Sequence, residues 1–132
     1  MRRLLLLVAI FCITQIAEAQ FIDIDSIQVI DEYDNVTSKK LYSDSLVTTF
    51  EIWVKKEVPL HKHAYHTEQV IVLEGEANMR LGEEWKIIKA GDIIIIPVGT
   101  LHQVIVTSLI PLKVLSIQAP VFDGSDRIII KE

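Results

Sequence analysis

Apolar positions along this chain come in short runs, not in the three-and-four spacing of an amphipathic helix. Such runs cover residues 21–30, 47–54, 69–74, 77–81, 85–88, 93–96, 101–106, 112–118 and 127–131. Turn residues separate several of them: Gly82-Glu83-Glu84, Ala90-Gly91-Asp92, Pro97-Val98-Gly99 and Asp123-Gly124-Ser125. Strands at such regular spacing, bounded by Gly and Pro, predict an all-β sandwich or barrel. The polar stretch 31–40 predicts a loop. It holds the sequon Asn35-Val36-Thr37, which matters only in a eukaryotic host. Residues 93–96 are four consecutive isoleucines, apolar on both faces, which predicts a strand covered on both sides. Trp53 and Trp85 read as packing residues. Residues 119–126 read as a connector to a closing strand, with Phe122 placed to cap the barrel.

The N-terminus follows a different pattern. Arg2 and Arg3 precede an apolar run over 4–14, and Ala17-Glu18-Ala19 follows it. A basic start, a short apolar stretch and small residues at a cleavage position make a secretory signal peptide. The run is shorter than the about 20 apolar residues of a spanning helix. Cys12 lacks the small neighbours of a lipoprotein signal, since Ile10 and Phe11 precede it. Cleavage after Ala19 predicts a secreted or periplasmic protein, free of the membrane, with one domain over 20–132.

Composition then sharpens the picture. The mature chain has 113 residues, with 18 Ile and 12 Val against 4 Ala, a balance that favours pleated strands. It has no cysteine, so burial, alone or together with a bound metal, must supply its stability. The full chain carries a net charge of −5, which argues against a nucleic-acid surface. Its 132 residues suffice for one domain and not for two.

The chemistry gathers on four histidines and a glutamate. His61 and His63 alternate with Lys62, so on a strand they share one face. Glu68 enters the apolar run 69–73, where a carboxylate needs a partner such as a cation. His102 is followed by Val104 and Val106 at the same period, which points it inward. A lone His-x-His pair or a lone strand glutamate is most often an ordinary surface feature. Three imidazoles and a carboxylate converging inside a barrel form a divalent metal site. That set accepts Fe, Ni or Zn through imidazole, and Mn through the carboxylate.

The spacing resembles that of the cupin superfamily, in particular its small single-domain members. His61-x-His63, four residues, Glu68, six residues and Gly75 match the first cupin motif. Gly91, Pro97, Gly99 and His102 match the second in register, and 15 residues separate the two motifs. Lys55 stands where the first motif has Gly, and Val106 where the second has Asn; neither is a ligand position. The resemblance implies a double-stranded β-helix, the jelly-roll barrel of cupins. It implies His61, His63, Glu68 and His102 as ligands of one divalent metal ion. It also implies association of two copies through a sheet face, a homodimer.

Four protein ligands on an octahedral ion leave two positions for water, dioxygen or a bidentate substrate. One carboxylate and neutral imidazoles leave the centre cationic, which favours small anionic or oxygen-rich substrates. Chemistry of the dioxygenase type, as in quercetinase-like cupins, is the first expectation, with an apolar lining from Val70, Val72, Val104 and Val106. A Lewis-acid isomerase or lyase acting on sugar-derived acids is the second; its base would come from Tyr65, His66 or Gln118. A non-catalytic barrel that holds a metal or small molecule is the third.

Overall fold

The computed structural model describes residues 19–29 and 32–131. The expected leader, up to its last position, lies outside the described residues. Ten strands follow in chain order: β1 Val36–Ser43, β2 Thr48–Val54, β3 Glu57–His63, β4 Thr67–Glu74, β5 Glu76–Leu81, β6 Glu84–Lys89, β7 Ile93–Ile96, β8 His102–Val106, β9 Leu112–Ala119 and β10 Arg127–Ile129. They form two antiparallel five-stranded sheets, ordered β1-β2-β9-β4-β7 and β10-β3-β8-β5-β6. This is the expected all-β jelly-roll. Apart from the hairpins β1–β2 and β5–β6, consecutive strands cross between the sheets, so residues distant in sequence meet at the centre.

The alternation of each strand decides what fills the space between the sheets. Val70 and Val72 of β4, Met79 of β5, Val104 of β8 and Val114 of β9 point inward and form the core with Val54, Ala77, Ile88, Ile96 and Leu112. Each such side chain removed from water contributes about 1.5–3 kcal/mol. Gly75 ends β4 at φ +81°, and a Cβ there would stand 2.7 Å from the Pro111 carbonyl oxygen. Both the backbone conformation and the close approach of another strand require glycine. No helix among the described residues is long and apolar enough to cross a membrane.

Two local expectations are corrected. Residues 21–29 make no strand; they hold one 3₁₀ turn, Ile24–Ser26, capped by the Asp23 carboxylate on the Asp25 amide at 3.2 Å. Phe21, Ile22 and Val29 are exposed, because no neighbouring strand is there to bury an apolar run. The predicted loop 31–40 in turn contains most of β1, which pairs along β2 from Val36↔Val54 to Ser43↔Thr48. A polar strand is stable at a sheet edge, where one face and one rim are solvated, and its lysines protect the rim.

The isoleucine strand β7 is an edge strand, paired only with β4 among the described strands. Ile94 and Ile96 point inward, while Ile93 and Ile95 are 64% and 50% exposed. Trp53 is buried, and Trp85 is exposed on β6, an edge strand of the second sheet.

Candidate metal centre

Strand pairing assembles the site. His61 and His63 sit two apart on β3, and both are buried. The β3–β8 register sets His102 opposite His61, with ring centroids 4.0 Å apart. Glu68 comes from β4 in the other sheet, opposite Gln118 of β9. Three imidazoles from one layer therefore face one carboxylate from the other.

Hydrogen bonds fix which atoms point inward. His61 Nδ1 donates to the Pro59 carbonyl at 2.8 Å, and His102 Nδ1 donates to that of Thr100 at 2.9 Å. A proton on Nδ1 leaves the Nε2 lone pair free toward the centre. Ser116 Oγ and Gln118 Nε2 donate to Glu68 Oε1 at 2.5 and 3.2 Å. The second oxygen, Oε2, then lies 3.5 Å from Nε2 of both His63 and His102.

Burial and charge shape the protonation. Burial, with help from His102 and Arg127, pushes His61 down to about 3, so it is a neutral imidazole at physiological pH. Burial alone would raise the Glu68 carboxyl. The imidazoles of His102 and His63 and the Ser116 hydroxyl outweigh it and hold the group well below the usual carboxylate range. A neutral His61 and an ionised Glu68 are the protonation states that metal ligation requires of those two groups.

The donor set fits a divalent ion. Ligand atoms of His61, His63 and His102 all lie within 4.8 Å of one another. Atoms bonded to one ion at about 2.0–2.2 Å stand at most about 4.4 Å apart, within a few tenths of an ångström of that spread. His102 Nε2 is buried and has no hydrogen-bond partner, an orphan that a cation would satisfy.

The site opens on a cavity of about 190 Å³ walled by Phe50, Ile52, Val70, Val104, Val114 and other apolar side chains. Of the four valines expected there, Val70 and Val104 line the cavity, while Val72, in the core, and Val106, packed against the core, do not. Two further polar groups line it. Gln118 Oε1 is buried and lacks a hydrogen-bond partner. Arg127, on the closing strand and opposite His63, lines the cavity where it meets solvent.

Of the three residues proposed as bases, only Gln118 lines the cavity. Tyr65 is 47% exposed, and its hydroxyl contacts Ser125 and Asp123 outside it. His66 is fully buried behind His63, with centroids 4.0 Å apart. Sequence reasoning missed Ser116, Asp126 and Arg127. The last two lie some sixty positions from their partners, and no local motif marks them.

A two-sheet β-barrel with three inward histidines and a glutamate over an apolar cavity defines the class: a jelly-roll with a candidate metal site. The model of the cupin domain matches residues 48–118, more than half of the chain, and the protein belongs to the cupin family. An uncharacterized protein of Aquifex aeolicus is 36% identical over 90 residues, 67% of this chain and 73% of that one. Mannose-1-phosphate guanylyltransferase 2 of Escherichia coli O157:H7 is 33% identical over 70 residues, 53% of this chain but 14% of that enzyme. A double-stranded β-helix protein from Klebsiella pneumoniae, also uncharacterized, superposes with a TM-score of 0.73 at 19% identity, over 87% of this chain and 100% of that one.

Proposed function

We propose that the chain binds one divalent metal ion through His61, His63, Glu68 and His102 and uses it for dioxygenase-type chemistry on a small anionic, oxygen-rich substrate. One observation carries the choice of chemistry. Besides those four side chains, the only ionisable group lining the cavity among the described residues is Arg127. A lyase or isomerase needs a side chain free to take a proton, and Tyr65 and His66 stand outside the cavity. Gln118 lines it but is an amide, with no basic group to offer. A metal held by His61, His63, Glu68 and His102 would supply the redox and Lewis-acid chemistry for dioxygen and a chelating substrate.

The remaining groups bind and orient. Arg127 pairs with His63 through the strand backbone, and among the described residues no hydrogen bond or ion pair engages its side chain, so the guanidinium is available to a substrate carboxylate. Gln118 Oε1 is placed to accept from a substrate hydroxyl. The apolar wall excludes water from the reacting face. For the whole molecule we read a homodimer through the exposed Ile93 and Ile95, and export through the N-terminal leader.

Metal analysis of residues 20–132, purified without chelator or His tag, tests the reading beside a His102→Ala variant. About one metal per chain, lost in the variant, and oxygen uptake by the iron-loaded protein with enediol or catechol acids are expected. No metal after reconstitution overturns the site. Metal without oxygen uptake across the panel overturns the chemistry.

A further inference from the structure

The three imidazoles of the centre are not held alike. His61 and His102 each donate Nδ1 to a main-chain carbonyl two residues back. His63 has no such bond, and its Nδ1 is buried without a hydrogen-bond partner. Facing it at 3.5 Å is Oδ1 of Asp126, equally buried and equally without a partner. A shift of about half an ångström closes the pair into a hydrogen bond.

Asp126 is itself fixed from three sides. Its other oxygen, Oδ2, accepts from the main-chain amides of Tyr65 and His66, each at 3.3 Å. His66 Nδ1 lies 2.7 Å from the same oxygen. The main-chain carbonyl of Asp126 accepts from the Ala64 amide at 3.0 Å. The turn after His63 therefore wraps around this carboxylate, and the His66 ring packs on the His63 ring.

We infer that Asp126 is a positioning residue: its Oδ1 accepts the Nδ1 proton of His63 and so directs Nε2 of that ring toward the metal. A carboxylate does this because both its oxygens accept. An amide of the same shape cannot. With its oxygen on the Tyr65 and His66 amides, its NH₂ faces His63 and selects the opposite tautomer. The inference rests on the metal-site reading above, and it gives His66 a part as the buttress that keeps Asp126 in place.

The test compares wild type with Asp126→Asn. Long-range ¹H–¹⁵N correlation on the metal-free protein reports the His63 tautomer without metal or activity. Zinc competition against a chelator reports affinity. We expect the Nδ1–H tautomer in wild type, Nε2–H in the variant, and a 10–100-fold loss of zinc affinity at unchanged apo melting temperature. An unchanged tautomer or unchanged affinity in a folded variant overturns the inference. So does Nε2–H in the wild type, which needs no variant to fold. A second zinc equivalent lost with Asp126→Asn overturns it in another way, since Asp126 would then be a ligand. Wild type that binds no zinc overturns the metal site itself, an outcome separable from the tautomer result.

Discussion

Glu68→Gln separates metal binding from folding. In the metal-free protein the substitution keeps the shape of the side chain. The new amide oxygen still accepts from Ser116 and Gln118, at the present 2.5 and 3.2 Å. Its NH₂ replaces Oε2, 3.5 Å from Nε2 of His63 and His102, where those nitrogens can accept. The apo protein should stay folded and lose only what the ionised Glu68 adds at neutral pH, the same loss that acid brings when this carboxyl is protonated. The metal loses its anionic ligand. Removing outer partners of ligands costs 10–100-fold in affinity, so a ligand should cost at least about 100-fold. At metal concentrations of about 100 Kd, binding stabilises the folded state by about 2.7 kcal/mol; at a hundredfold weaker Kd that falls to about 0.4. With about 4 °C per kcal/mol for a domain of this size, the metal-dependent rise in Tm should drop from about 11 °C to under 2 °C. Calorimetry of wild type and variant, each with and without metal, measures both quantities. An equal metal-dependent rise in the two proteins refutes ligation by Glu68. A collapse of the apo variant shows instead that the carboxylate holds the fold.

Gly75→Ala should destabilise by about 3 kcal/mol, from its left-handed φ and from backbone overlap at Pro111, while Gly82→Ala, with φ +63° and nothing within 4 Å, should cost about 1; equal urea midpoints would contradict this. Metal-free protein should lose stability as pH falls from 6.5, the ordinary value of His61, toward its folded value of about 3, because the unfolded chain takes the proton first. Glu68, held low, adds a loss below its ordinary 4.5, and a urea midpoint flat from neutral to acid pH would sink both assignments. Ile93→Asp with Ile95→Asp should convert a dimer to a monomer in light scattering; a monomeric wild type would end the dimer reading.

The layered fold and the histidine spacing were legible because both are local patterns. Alternation reports which strand face is buried, and His61, His63 and Glu68 lie close in the chain. The edge strand β1 was not legible, since an edge tolerates the polar sequence that usually marks a loop. The run 21–29 misled for the opposite reason: apolar residues make a strand only where another strand accepts them. Asp126 and Arg127 were invisible because β10 returns to β3 from the far end of the chain, and their chemistry exists only through that pairing. Tyr65 and His66 look alike in sequence, beside the ligands, yet one faces solvent and the other is sealed behind His63.

The split of the centre between layers has a kinetic consequence. Histidines 61, 63 and 102 belong to one sheet and Glu68 to the other. A cation held by all four acts as a rivet through the two leaves. An incompletely folded chain offers little more than the His61/His63 pair, so selection among competing ions is deferred until the leaves have closed. Afterwards an ion leaves through the cavity only when both leaves release their ligands together. The dissociation rate of the metal would then serve as a clock for the breathing of the barrel.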